Sequence, residues 1–350
     1  MPWRLSDKGC MSSAVNVVIH ASQFPEKVRR DLLESLRARQ VNHKFHYDSV
    51  KQTQKWLALH QAYSPTRNDV DCRTVYTQAF KAAAEKIKNP RVHVIGLGCG
   101  GGQKDTRLLK LLKGRDREIF YTPCDVSTAM VLTARQTALA VVPEKNCFPL
   151  VCDLATADDL VDALEQVVGP RCRAASDDRQ LVPTVSRLVT FFGMIPNFEP
   201  QIILPKLAAL VRPKDFLLFS ANLAPGRDYA AGMKKILPQY DNPLTRDWLM
   251  TFLLDLGVER NDGKLRFKIE DDRVNGLKRI VVGFHFTRSL RIEMDGETFD
   301  FHAGEVIQLF FSYRYTPERV RTILARFGLD VCDQWITSSE EEGVFLCRRK

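Results

Sequence analysis

The residues best placed to do chemistry sit near the end of the first third of the chain. Five of its 19 glycines fall within nine residues, Gly96 to Lys104 (GLGCGGGQK), directly after the apolar run VHVI. Glycine at the end of a buried strand lets backbone approach a ligand and adopt turns closed to other residues. Two acids follow at matching places. Asp125 ends the run EIFYTPCD, 27 residues beyond Gly98, and Asp153 ends PLVCDL. Three consecutive strand ends thus carry glycines, Asp and Asp, at the edge where an open α/β sheet presents ligands with hydrogen-bonding groups. A carboxylate at Asp125 suits the vicinal hydroxyls of a ribose.

Gly96-x-Gly98-x-x-Gly101 alone matches the dinucleotide fingerprint weakly, and a purely structural glycine turn is the plain alternative. Dinucleotide and S-adenosylmethionine (SAM) sites share this layout as far as the second strand. A dinucleotide needs helix-terminus amides facing a pyrophosphate. The methyl donor has no phosphate, and an acid near its adenine is useful. Asp153 and two strand-like runs at the carboxyl end therefore favour a methyltransferase over an NAD-dependent oxidoreductase.

The surrounding sequence has to position this edge. Strands are expected over 92–97, 118–124, 148–152, 187–193 and 215–221, separated by amphipathic helices such as KDTRLLKLLKG and PQIILPKLAALVRP. Continuous apolar strands alternating with helices imply a doubly wound, mostly parallel sheet. Upstream, NVVIHA (16–21) reads as a strand. PEKVRRDLLESLRAR follows as a helix opened by Pro25, and FHYDSVKQTQKWLALHQAYSPTR as a helical segment broken at SPTR (64–67). Beyond residue 222 two helical stretches give way to consecutive strands, RIVVGFHFTR, LRIEM, TFDFH and EVIQLFFSYRY, with Asp295-Gly296 as a hairpin turn. The end reads as a helix stopped at Gly328 and two strands. The expected fold is α/β: a Rossmann-like class I methyltransferase sheet with a helix-plus-antiparallel-sheet substrate domain. The core covers 72–222 and 314–350, and the substrate-recognition domain 16–71 and 223–313.

Composition narrows the partners. The 350 residues are 45% hydrophobic and 27% charged, with a net charge of +9. The positive residues are dispersed, as in KVRRDLLESLRAR with its interleaved acids, and the stacking platforms and spacings of nucleic-acid binders are missing. Nine cysteines form no CxxC pair, which suits buried thiols in a reducing compartment. No run of about 18 apolar residues occurs. These features imply a cytoplasmic protein with a small-molecule partner, no nucleic acid and no membrane. The sequence sets no oligomeric state, and a monomer is compatible with it. HKFH (43–46) offers two histidines but reads as an aromatic hinge, so no metal is expected.

From about residue 40 to its end the chain resembles the histidine-specific, SAM-dependent methyltransferases. The resemblance is carried by FHYD (45–48), YSPTR (63–67), GLGCGGGQKDTRLL, YTPCDVS (121–127), CDL (152–154), FFGMIPNF (191–198), QYDNPLTRDWL (239–249) and FFSYRY (310–315), in order. It implies a donor site of Tyr63, Gly98, Lys104, Asp125, Asp153 and Leu154. In that site Gly98 admits the methionine part, Lys104 meets its carboxylate, Asp125 takes the ribose and Asp153 the adenine amine. It further implies an acceptor site of Tyr47, Asn197, Tyr240 and Ser312, with Asn197 and Tyr240 at the amino-acid head group. Three departures stand out: Gly96 replaces an acid usual in the family, Asp105 looks inserted, and the GMIPN run is one residue short.

Specificity is where the resemblance breaks. Phe310 stands where histidine-methylating members have a glutamate for the imidazole, and Val282 where a larger methionine lies. Losing that hydrogen-bond partner would desolvate a polar ring without compensation. The expected acceptor is therefore the α-amine of an amino acid, or a derivative, with an apolar or aromatic side chain. Histidine itself, a non-catalytic SAM-binding module and the oxidoreductase are the alternatives. For chemistry, the amine must align with the sulfonium methyl and lose its proton to Tyr47, to Asn197 through water, or to solvent.

Overall fold

The computed structural model describes residues 15–64, 69–169 and 185–350. Residues 65–67 of the expected SPTR break, with Cys10 and Cys172, lie outside the described residues.

One eight-stranded sheet organises the chain. Its members are β1 (Val18–Ile19), β2 (Arg91–Leu97), β3 (Glu118–Asp125), β4 (Leu150–Val151), β5 (Ser186–Phe192), β6 (Phe216–Asn222), β12 (Leu329–Ile336) and β13 (Glu342–Arg349). They run in the order β1-β4-β3-β2-β5-β6-β13-β12. The strands from β1 to β6 pair in parallel, and β13 is antiparallel to both β6 and β12. The sequence dictates this burial: β2 and β3 are apolar along nearly their whole length, as strands covered on both faces must be. Chain order reverses across β2 and β5, so the crevice of an open sheet falls at the carboxyl end of β2, where the glycines lie.

Helices pack on this sheet and on the second unit. They are α1 (Pro25–Arg37), α2 (Val50–Tyr63), α3 (Val70–Lys86), α4 (Gln103–Lys113), α5 (Thr128–Ala138), α6 (Leu160–Val168), α7 (Pro200–Leu210), α8 (Tyr229–Tyr240), α9 (Pro243–Asp255) and α10 (Pro317–Arg326). No helix among the described residues is long and apolar enough to cross a membrane.

The second unit of strands is antiparallel. β7 (Gly263–Asp272), β8 (Leu277–Phe286) and β11 (Val306–Arg314) form a three-stranded sheet in the order β11-β8-β7, and β9 (Leu290–Met294) pairs with β10 (Glu297–Phe301). Asp295 and Gly296 both have positive φ, 55° and 77°, as the expected two-residue hairpin turn requires. β7 is an addition to the expected strands. Its apolar residues, Leu265, Phe267 and Ile269, alternate with charged ones along a sheet edge, a pattern easily taken for a loop.

Two expectations shift in detail. Only Val18 and Ile19 of the run 16–21 pair with the sheet. The helix expected from FHYD onward begins later: His43–His46 is a 3₁₀ turn, and α2 starts at Val50 because the Ser49 side chain accepts the Gln52 N–H.

Candidate functional site

A cavity of about 1200 Å³ lies at the carboxyl edge of the parallel strands. One wall comes from the loop after β2 and from the ends of β3 and β4. The other comes from α1, the 3₁₀ turn at His43–His46, the turn at Ile195–Asn197 and Phe311 of β11.

The wall beside the glycine loop is built by backbone geometry. Gly98 has φ 59°, and a Cβ there would lie 2.5 Å from the Met194 side chain, so only glycine fits beneath that methionine. Gly102 has φ 74°, and its Cβ would meet the Ala134 Cα of α5 at 2.7 Å. Asp125 pins the loop from the next strand: its carboxylate accepts the Gly100 N–H and the Ser127 N–H, both at 3.0 Å. Burial pushes its pKa up, and those same N–H groups oppose the shift.

Asp153 is held at the end of β4, where its carboxylate accepts the Ala155 N–H and the Thr156 hydroxyl at 2.9 Å each. Lys44 Nζ lies 3.5 Å from it and 2.5 Å from Asp31, forming a buried cluster of charges at that end. Leu154 completes this side of the wall. Lys104 donates to the Tyr76 hydroxyl at 2.8 Å and sits 4.4 Å above the Tyr76 ring, while Tyr76 donates to Glu342 of β13. Burial lowers the Lys104 pKa, and the negative charge of Glu342 counters this.

The acid expected at position 96 is supplied from elsewhere. Asp105, in the first turn of α4, places its carboxylate where a Gly96 side chain would stand. There it accepts the Tyr121 and Thr190 hydroxyls at 2.8 Å each, linking β2, β3 and β5 beneath the loop. Burial pushes its pKa up to about 6, moderated by those two bonds. The departures at Gly96 and Asp105 thus form one feature.

The structure brings Gly98, Lys104, Asp125, Asp153, Leu154, Tyr47 and Asn197 to one cavity. Tyr47 packs edge-on to Trp56 and lies against Trp248, with ring centroids 6.0 and 5.5 Å away. Burial first, and then the Asp125 charge, raise its pKa, so the phenol keeps its proton at neutral pH. Asn197 closes the turn Ile195–Asn197, where its N–H donates to the Met194 carbonyl at 2.9 Å.

Five expected residues stand off the wall. Tyr63, the last residue of α2, is 53% exposed. Tyr240 and Ser312 bond each other at 2.8 Å, and Arg314 Nε donates to the Tyr240 hydroxyl at 3.2 Å. Phe310 and Val282 are cross-strand partners inside the aromatic core of the second sheet. The residue that reaches the cavity is Phe311. Successive side chains of a strand point to opposite faces, and a register shift between Gln308 and Phe310 precedes this stretch of β11.

Residues to which the sequence reading gave no role in the site also line the wall: His43, Trp56, Met194, Phe311 and Glu342. Glu342 had no local signal, because it reaches the site only through the antiparallel pairing of β13, where it opposes Asn222.

Comparisons with known proteins bear on this site. Residues 28–349 match the family described as histidine-specific, SAM-dependent methyltransferase. The chain is similar to the N-methyltransferase imqF of Aspergillus flavus, 22% identical over 289 residues that cover 81% of this chain and 73% of that one. It is similar also to the N-methyltransferase fsqC of Aspergillus fumigatus, 23% identical over 258 residues, 71% of this chain and 64% of that one. Among solved structures it resembles the magnesium protoporphyrin IX methyltransferase of Synechocystis PCC 6803 with bound SAH. That similarity has 13% identity, a TM-score of 0.43, and coverage of 88% of this chain and 98% of that one.

Proposed function

The chain belongs to the histidine-specific, SAM-dependent methyltransferase family, and from that premise we propose that it methylates nitrogen, at the α-amine of an amino acid or amino-acid derivative with an apolar or aromatic side chain. The observation that carries the reading is the single cavity in which the glycine loop, Lys104, Asp125 and Asp153 share space with Tyr47 and Asn197. The names of the two similar fungal N-methyltransferases support nitrogen as the target.

The residues present fit the donor. Gly98 leaves room beneath Met194 that a side chain would fill, and Lys104 is a half-buried ammonium that donates to the neutral Tyr76 hydroxyl, with the Glu342 charge beyond it. SAM, when bound, supplies a methyl group made electrophilic by its sulfonium charge. In this reading Lys104 takes the methionine carboxylate, Asp125 the ribose hydroxyls, and Asp153 with Leu154 the adenine. Tyr63, at the end of α2, stays part of the proposed donor set as a residue that would have to turn inward.

On the acceptor side Asn197 orients the amine by hydrogen bonding, and Tyr47 donates or accepts through a protonated phenol. A phenol held protonated is a poor base, so the amine proton leaves through Asn197 and water or directly to solvent. Tyr240 and Ser312 fix the second sheet behind the wall, with Val282 and Phe310 as its apolar backing. Residues 72–222 and 314–350 then form the donor-binding core, and 16–71 with 223–313 the substrate-recognition part.

The test separates donor from acceptor. Calorimetry with S-adenosylhomocysteine is expected to give wild-type affinity for Asn197→Ala and Tyr47→Phe, while methylation of amino acids by these variants falls at least tenfold. Unchanged turnover in both variants would remove the two residues from the acceptor site.

A further inference from the structure

At one end of the cavity two opposite charges share a single phenol. Lys104 of α4 and Glu342 of β13 both line the wall, the first half-buried and the second 8% exposed. Between them stands the Tyr76 hydroxyl, which accepts from Lys104 Nζ at 2.8 Å and donates to the Glu342 carboxylate. The phenol is fixed in place. Its ring is fully buried on α3, with the Phe80 and Phe192 rings edge-on at centroid distances of 5.8 and 5.6 Å. Cys72, one turn earlier on α3, donates its thiol to the other Glu342 oxygen at 3.4 Å. Both oxygens of Glu342 thus have a donor. Lys104 by contrast gives one of its three N–H groups to Tyr76, and its ammonium forms no ion pair among the described residues. Attraction between opposite charges rises as they approach and as water is excluded, so an ammonium this near a buried carboxylate would close on it if nothing stood between.

We propose that Tyr76 is a positioning residue that holds the Lys104 ammonium off Glu342, so that the remaining N–H groups of Lys104 stay available to the carboxylate of the methyl donor. Without the phenol hydroxyl the flexible lysine stem would carry Nζ onto Glu342, and its charge would be withdrawn from the cavity. Glu342 then acts at one remove: its negative charge counters the burial that lowers the Lys104 pKa, without taking the hydrogen bonds that the ligand needs. Burial first, and Glu342 next, raise the Tyr76 pKa well above its ordinary value, so the hydroxyl keeps the proton that it donates. The phenol is suited to this place because it takes a hydrogen bond from the cation and gives one to the anion at the same oxygen.

The inference rests on the donor site of the proposed function, and the test keeps their failures apart. Calorimetry compares S-adenosylhomocysteine with its decarboxylated analogue, adenosyl-thiopropylamine, which lacks only the carboxylate. Wild type is expected to bind the first roughly tenfold or more tightly, the scale of a hydrogen bond between charged groups, and Lys104→Met to bind both alike. Tyr76→Phe is expected to lose most of that preference while its affinity for the decarboxylated analogue barely changes. Tyr76→Phe combined with Glu342→Gln leaves Lys104 no carboxylate to close on, and the preference is expected to return. A tyrosine that only ties α3 to β13 would weaken both ligands together in Tyr76→Phe and give no recovery in the double variant. Either of those results overturns the inference, as does a preference that survives Tyr76→Phe. If wild type shows no preference, or if Lys104→Met keeps it, the Lys104 assignment in the proposed donor site falls together with this inference. A preference that depends on Tyr76, in a protein that transfers no labelled methyl to nitrogen, overturns the proposed reaction alone.

Discussion

The two walls of the cavity are made in opposite ways. The wall proposed for the donor is polar and backbone-built: glycines with positive φ, carboxylates at strand ends, and N–H groups that hold those carboxylates in place. The opposite wall, proposed for the acceptor, carries aromatic rings beside charged residues of α1: Tyr47 meets Trp56 of α2 close by in the chain, and His43 of the 3₁₀ turn meets Phe311 of β11 far along it. A wall of directed hydrogen bonds suits one ligand shared by many enzymes. A wall of packed rings can change its ligand by side-chain replacement without disturbing the parallel sheet, because Tyr47 and Trp56 pack on the core of the second sheet.

If the walls divide labour in this way, neighbouring substitutions should give different readouts. Phe310→Ala is expected to destabilise the protein by about 3–5 kcal/mol in denaturant titration, because it empties a packed core site. Phe311→Ala, at an equally buried core position, should lose stability as well and in addition raise the acceptor KM. Equal stability losses with unchanged KM would break the distinction between the two faces of β11.

On the donor wall, Asp125→Ala should weaken S-adenosylhomocysteine binding roughly a hundredfold by calorimetry, since it removes a carboxylate expected to pair with two hydroxyls. Acceptor binding should change far less. A smaller effect accompanies Gly102→Ala, which forces a side chain into positive φ and against the Ala134 backbone. A stability loss of about 2 kcal/mol by urea titration is expected.

The pH response offers a finer contrast. In the acceptor unit, His43 and His46 have pKa values lowered to about 3 and about 4, so the unfolded chain binds more protons than the fold below about pH 6.5. Their contribution is present above that pH and is lost as the pH falls towards 4. Beneath the donor loop, Asp105 has its pKa raised to about 6 from an ordinary value near 4, so the fold binds more protons in that window. Its contribution falls as the pH rises from about 4 to about 6. Asp105→Asn should therefore steepen the net loss of stability on acidification, and His46→Leu should flatten it, in melting curves collected from pH 4 to 7.

The glycine loop and the two strand-end acids at the cavity were legible in the sequence because each is local, a glycine run after an apolar strand and then an acid at each of two strand ends, whereas Glu342 is brought in by β13 and Tyr63 stands off the wall. The acceptor wall was less so. The bulged stretch of β11 and the alternation of its faces put Phe311 rather than Phe310 at the cavity, and neither feature is written in the motif FFSYRY. His43 sits beside a recognisable motif, yet its contact with Phe311 emerges only when the turn packs against β11. Asp105 looked like an insertion until its carboxylate was seen in the space left by Gly96. β7 was hidden by the charges that alternate with its apolar residues.

The central claim, that this cavity moves a methyl group from SAM to nitrogen, is tested most directly by reacting the protein with trideuteromethyl-labelled SAM and a panel of amino acids and aromatic amines. Tandem mass spectrometry then locates the label. The account predicts the label on an amine nitrogen of an aromatic or apolar acceptor, at a rate that collapses in Asp125→Ala and Asn197→Ala. Label on oxygen or carbon, or no labelled product from a protein that binds S-adenosylhomocysteine, would contradict it.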